Sequence, residues 1–254
     1  MTQRPALLAL TLGATLCLGL LTACGKQDAA TTPGAQAPSL AAAQDPAALA
    51  KAAEDKRVAA LPKADAATPV DAYRAIDSGN QLMYLFYAVS GMPPDMEQIA
   101  ERLSQDYRAT NDSFKRQDIL KVLAPRVQSE IAAAGGHRYV IWEADNDVVD
   151  HYDFERKRFP VKPPFWKGES NFYYNDNAFY KISFNGDERV RGIPVADEAA
   201  ARAIEDKVGK YGALRLRVYA FVQDADLNSK TLRSQPVKLE LLDKQGKVLA
   251  TTAL

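Results

Sequence analysis

The chain has 254 residues, with 32 basic and 32 acidic side chains and no net charge. No concentrated basic surface therefore points to nucleic acid, whose binding depends on releasing counterions. The length is ample for a buried core in one large or two small domains, and the two cysteines, Cys17 and Cys24, leave no later thiol for a disulfide, a nucleophile or a thiolate metal site.

In chain order, a single charge at Arg4 precedes an apolar run of sixteen residues from Ala6 to Leu21. That is the pattern of a secretory signal, and it is shorter than the roughly 20 residues of a membrane span. Thr22 and Ala23, both small, lead directly into Cys24. The stretch Leu21-Thr22-Ala23-Cys24 resembles the lipobox of bacterial lipoprotein precursors. The resemblance implies loss of residues 1–23 and lipidation of Cys24, as a diacylglycerol thioether usually joined by an amide-linked third chain. One acyl chain holds a protein weakly and two hold it stably, at about 0.8 kcal/mol per buried methylene. Gly25-Lys26-Gln27 lacks the aspartate that retains many such proteins in the inner membrane. The resemblance thus implies the outer membrane, with the domain facing the periplasm.

Residues 25–69 contain 17 alanines and five prolines, and no aromatic residue. So little apolar bulk does not offset chain entropy, which predicts a tether over residues 24–69, with transient helix at Ala47 to Leu61. Folded character is expected from Pro69 onward. A short helix opens at Asp71 to Ala75, and a longer one follows the capping pair Asp77-Ser78, with Leu82, Met83, Leu85, Phe86 and Val89 at helical spacing. Gly91 ends it, and Pro93-Pro94 prevents continuation. A second helix is predicted from about Pro94 to Gln105. A third is capped by Asn111, Asp112 or Ser113, with Phe114, Ile119, Val122 and Leu123 on its inner face. Pro125 is expected to kink or divide it, and Gly135-Gly136 to end it.

Beyond Gly136 the period changes to that of strands. Tyr139 to Trp142 reads as a strand, Ala144 to Asp147 as a turn, and Val148 to Phe154 as the returning strand. A proline-rich excursion from Phe159 to Trp166 precedes an aromatic strand region, Phe172 to Phe184. Asp197 caps a helix to about Val208, closed by Gly209. Three further strands are predicted: Leu214 to Gln223, Val237 to Leu242 and Val248 to Thr252. The fold class is therefore α+β: a helical part, residues 70–136, then a mainly antiparallel sheet or two-sheet sandwich with one inserted helix, residues 137–254.

This layout resembles an uncharacterised family of proteobacterial lipoproteins of unknown function. The resemblance rests on the helical stretch Tyr73 to Pro125, on Tyr152-Asp153-Phe154-Glu155, and on the block from Ile193 through Arg202 to Val222. It implies no activity.

Three stretches carry candidate chemistry. Glu143, Asp145, Asp147, Asp150, His151 and Asp153 form a dense oxygen-rich cluster. Calcium is one reading, but counting from Asp145 places Asp150 and Arg156 where an EF-type loop needs glycine and glutamate. The other is a hairpin turn built from Asp and Asn. His137 and His151, the only histidines, are fourteen residues apart and offer too few ligands for zinc. No Gly-x-Ser-x-Gly motif accompanies them, so no catalytic, cofactor or metal residue is assigned.

The third stretch is aromatic: residues 139–184 hold 13 of the 22 aromatic side chains. Trp166, Tyr173, Tyr174 and Asn175 read either as a sugar-stacking surface or as β core. The leading expectation is a membrane-tethered, non-enzymatic module that binds an envelope protein. A glycan- or peptidoglycan-binding module using residues 165–180 is the alternative, and a hydrolase with unrecognised carboxylates comes third.

Overall fold

A computed structural model describes residues 45–145, 147–168 and 170–253. The signal sequence, the Leu21-Thr22-Ala23-Cys24 motif and the first part of the expected tether lie outside them. The chain divides into two units, residues 1–53 and 54–254. Helix α1 (Pro46–Ala59) is solvated, with no buried residue, as its alanine-rich composition leads one to expect. Among the described residues, no helix is long and apolar enough to cross a membrane.

The second unit is α+β, and its sheet is organised around one long hairpin. Strands β6 (Leu214–Asp226) and β7 (Thr231–Asp243) pair antiparallel along their length. Alternation sends Leu216, Val218, Ala220 and Val222 to one face, where all are fully buried. The register sets Val218 opposite Leu239 and Leu216 opposite Leu241, so the core rows of both strands coincide. Pro236 is tolerated inside β7 because the register shifts beside it, between Tyr219 and Ala220 on β6. The predicted strand begins only at Val237; the observed one starts six residues earlier, after an Asx turn in which Asp226 Oδ1 accepts from the Asn228 and Ser229 amides.

β2 (Tyr139–Asp145) pairs antiparallel with β6, and β8 (Val248–Ala253) pairs antiparallel with β7. The sheet is thus mainly antiparallel, as predicted, but two short strands make it mixed. The two-residue β1 (Arg74–Ala75) runs parallel to β2, and β4 (Lys181–Phe184) runs parallel to β7. In place of the short helix expected at Asp71 to Ala75, a single 3-10 turn at Val70–Ala72 leads into β1. A second, two-stranded sheet joins β3 (Arg158–Pro160) to β5 (Gly192–Pro194).

The predicted return of Val148–Phe154 along β2 does not occur. Both flanks of β2 are taken, by β1 and by β6. Residues 148–154 instead fold back on the β3 side, through Val149–Val161 and Asp153–Arg158 bridges, which places Val148 and Val149 together in the core. Lys157 takes a positive φ of 50° at the tip.

On the core face lies α2 (Gly79–Ser90), whose caps are the ones the sequence signals: the Ser78 hydroxyl accepts from the Gln81 amide, and Gly91 closes the helix at φ 66°. The predicted second helix is α3 (Met96–Leu103), and a short unpredicted α4 (Gln105–Ala109) follows directly, because Ser104 ends the first and its Oγ caps the second. α5 (Ser113–Gly135) starts at Asp112, which accepts from two amides, and runs through Pro125 undivided. It packs on α2, with α3 and α4 against it. α6 (Glu198–Glu205) adds Ala201 and Ile204 to the core.

The opposite face of the sheet is not bare. Tyr73, Tyr139, Tyr219 and Phe221 meet there at ring separations of 4.9 to 5.3 Å. The segment expected to be the end of the tether is held along this face. Gln223 Nε2 donates to the Pro62 carbonyl at 2.9 Å, Gln235 Oε1 accepts from the Ala64 amide at 3.2 Å, and Tyr139 Oη accepts from the Asp65 amide at 2.8 Å. Arg57 pairs with Asp224 at 2.7 Å.

Beside these rings runs a charge ladder: Arg215–Glu143 at 3.0 Å, Glu143–Arg217 at 2.7 Å, Arg217–Glu240 at 3.1 Å and Glu240–Lys238 at 2.6 Å. Burial alone pushes the Glu240 carboxyl up, but hydrogen bonds from Lys238, Tyr219 and Arg217 hold it below its ordinary value of 4.5. A carboxylate whose pKa is lower folded than unfolded stabilises the fold above its unfolded pKa, and that stabilisation is lost as pH falls through the folded pKa. Glu240→Gln is therefore expected to cost about 1–3 kcal/mol near neutral pH. In urea titrations the gap from wild type should begin to shrink as pH falls below about 4.5, where the unfolded carboxyl protonates, and close once pH has passed below the lowered native pKa; a gap constant with pH would show that the charge is immaterial.

Candidate functional site

The acidic stretch is taken apart by partners from elsewhere in the chain. Glu143 joins the ladder on the sheet face. Asp147 and Asp150 both reach Lys162 Nζ, whose pKa the Asp150 hydrogen bond raises. His151 Nδ1 contacts Glu205 Oε1 at 2.5 Å, and Glu205 Oε2 accepts from the Tyr152 amide at 3.0 Å. Burial raises the Glu205 carboxyl, but these two contacts outweigh it and leave its pKa lowered. Asp153 caps the hairpin tip by accepting from the Glu155 and Arg156 amides at 3.0 Å. Glu143, Asp147, Asp150 and Asp153 are thus spent on local structure, and Asp145 is exposed at the end of β2. The two histidines serve different elements: His151 faces α6, and His137 Nε2 lies 2.9 Å from Arg74 of β1. Among the described residues, no three His, Cys, Asp or Glu groups are placed to hold a metal ion.

The aromatic stretch is split as well. Trp166 is half-buried, its Nε1 donates to the Val161 carbonyl at 3.0 Å, and Arg191 lies 4.4 Å over its ring. Tyr174 is half-buried against Trp142 at 4.7 Å, and its hydroxyl donates to the Ile76 carbonyl. Burial, with Asp77 and Asp176 adding to it, pushes the Tyr174 phenol up to about 12. Phe165 and Phe172 stack at 5.0 Å inside the domain. Tyr173 and Asn175 remain exposed, so the four candidate residues do not form one surface. The neighbouring Asp176 is used by the fold itself. Its carboxylate accepts from the Gly79 amide at 2.8 Å and the Asn80 amide at 3.4 Å, capping α2 from across the chain.

The feature that sequence reading missed lies on the helical side. Phe114 and Val122, expected on the inner face of α5, are 83 % and 80 % exposed. Only Val127 of this helix is fully enclosed. Val122 and Val127 are five residues apart, roughly 140° around an α-helix of 3.6 residues per turn, and cannot share one face. The signal was present as two apolar stripes: Leu123, Val127 and Ile131 on one side, Phe114 and Val122 off it.

Between α4 and α5 runs an open groove. One stretch of about 600 Å³ has Leu103, Ile119, Val122 and Leu123 as apolar wall, with Asp106 and Arg126 at its edges. It continues past Asp106, Asp118 and Ile119 into a second stretch of about 510 Å³, reaching Thr110 and Lys115. The far wall is rigidly placed. Tyr107 is buried with Arg116 stacked 4.6 Å over its ring, Arg116 also donates to the Thr110 carbonyl at 2.8 Å, and Arg108 donates to the carbonyls of Glu101 and Arg102. Asp106 and Arg126 are in no ion pair among the described residues, and Asp118 pairs only with Lys121 there. An apolar trough with charges of both signs free along its rim is suited to taking up an amphipathic segment. No known protein family, curated protein or solved structure matches the chain.

Proposed function

We propose that this chain is a lipid-anchored, non-enzymatic module that binds a partner protein of the bacterial envelope, with the α4–α5 groove as its docking surface. The observation that carries the reading is the apolar wall of Leu103, Ile119, Val122 and Leu123, with Val122 80 % exposed, facing an α4 pinned by Arg116 over Tyr107. Exposed apolar residues scattered singly need no explanation, but here several line one trough with rim charges unpaired. The fitting occupant is an amphipathic helix of the partner, its apolar ridge in the trough, a base toward Asp106 and an acid toward Arg126.

The anchor is supported by the sequence Leu21-Thr22-Ala23-Cys24 alone. On this reading Cys24 carries the acyl chains, and Gly25-Lys26-Gln27, without the inner-membrane aspartate, favours the periplasmic face of the outer membrane. Cys24→Ala is expected to abolish labelling by a palmitate analogue; labelling that persists in the variant would refute the assignment.

Docking is tested by affinity capture of the full-length chain from crosslinked envelopes. Wild type should recover a reproducible protein partner, and Val122→Asp should reduce recovery at least tenfold, a loss of about 1.4 kcal/mol or more. Val122 is solvated, so the substitution leaves the fold intact. Recovery unchanged by Val122→Asp, or no reproducible partner with wild type, would count against the proposal.

A further inference from the structure

A second concavity, sharing no lining residue with the groove, lies where β1, α2 and the C-terminal end of α5 meet. We infer that it binds a free α-amino acid with a small or medium apolar side chain. The inference does not rest on the protein-docking reading. The cavity measures about 170 Å³, below the roughly 300–1,000 Å³ of sites for drug-sized ligands. Its floor is apolar: Ile76 and Leu85 are buried there, and Ala134 closes one side. Its polar groups are of two kinds, gathered from three elements.

The first kind donates. Arg74 has no carboxylate partner among the described residues; its Nη2 lies 2.9 Å from His137 Nε2. A guanidinium only donates, so Nε2 is the accepting nitrogen and the proton of a neutral His137 sits on Nδ1. This contact orients the guanidinium and leaves its other N–H groups for an anion. Gln81 Oε1 accepts from the Asp77 amide at 2.8 Å, which leaves the Gln81 NH₂ end as the one offered to a ligand. The Tyr84 hydroxyl has no hydrogen-bond partner among the described residues, and burial, reinforced by the Glu130 carboxylate, raises its pKa and keeps it a phenol. The second kind is the carboxylate of Glu130, on the α5 wall.

A simple organic acid would satisfy Arg74 and Gln81 but be repelled by Glu130. An α-amino acid answers both, with its carboxylate on the guanidinium, its ammonium on Glu130 and its side chain over Ile76 and Leu85. A peptide terminus supplies only one of the two charges, which restricts the site to the free zwitterion.

Titration calorimetry on the full-length chain in detergent with L-leucine, L-valine, leucinamide and 4-methylpentanoate tests this. Saturable binding of leucine or valine is expected, at least tenfold weaker for leucinamide and for 4-methylpentanoate. Arg74→Gln and Glu130→Gln should each weaken leucine binding at least tenfold. Ala133→Phe, made at an exposed position of the cavity wall, should abolish it while thermal unfolding stays at the wild-type temperature. Absence of saturable binding by either amino acid would overturn the inference, as would leucine affinity indifferent to Arg74→Gln or equal affinity for leucine and 4-methylpentanoate.

Discussion

Phe184→Ala is expected to lower stability by about 3–5 kcal/mol, the range for removing a fully enclosed aromatic ring. Phe184 has no exposed surface. It sits on β4 opposite Ser234 of β7, with Phe172 at 5.5 Å and Trp142 at 6.5 Å. Those two rings come from segments far apart in the chain, Trp142 from β2 and Phe172 from the stretch bridged to Ile182 at the edge of β4. The cavity left by alanine would therefore be walled by elements that do not relax together, which puts the cost at the upper end of the range. For a unit of this size the matching fall in Tm is roughly 10 °C. A loss below about 1 kcal/mol in urea unfolding would mean that the loop from Phe165 to Tyr174 does not close the core.

Gly79→Ala is the second large effect, and its sign runs against helix propensity. In an exposed helix the change would stabilise by up to about 1 kcal/mol. At Gly79 an added Cβ would stand 2.5 Å from the Asn177 carbonyl oxygen and 2.9 Å from its carbonyl carbon. The obstacle is backbone, and that backbone is tied in place because Asp176 caps α2 through the Gly79 and Asn80 amides. Relief of the clash requires the loop to retreat, and retreat breaks the cap, which itself contributes about 1 kcal/mol. A destabilisation of about 2–3 kcal/mol follows. An alanine variant as stable as wild type would show that this close approach is not present in solution.

What is legible in the sequence depends on how local the cause is. α2 can be drawn to the residue because Ser78 and Gly91 act on their own neighbours. The α+β class follows from the change of hydrophobic period after Gly136. Choices made by competition between distant segments are not legible. Val148–Phe154 has the pattern of a returning strand, but β1 and β6 already occupy both edges of β2, and nothing in residues 139–154 records that. Pro236 reads as a stop until its register shift is known. The same limit applies to the candidate sites. The acids and histidine at 143–153 look like one cluster in the chain, whereas Glu143 pairs with Arg215 of β6, Asp150 with Lys162 and His151 with Glu205 of α6. Asp176 looks like a sugar-binding neighbour of Tyr174 and is a cap for a helix 97 residues upstream. The α5 groove is the opposite case. Its second apolar stripe is in the sequence, and Phe114 and Val122 read as inward only when the two stripes are merged into one.

The central claim is that the α4–α5 groove docks another protein, and site-resolved photo-crosslinking in intact envelopes tests it most directly. A photoreactive residue is placed at Val122 in the full-length chain, and at Tyr211, which is 91 % exposed and outside the groove, as the comparison. The prediction is a discrete protein adduct from position 122 that is absent from position 211 and lost when Arg126→Glu, which reverses a rim charge of the groove, is added. No adduct at 122, or the same adduct from both positions, would contradict the account.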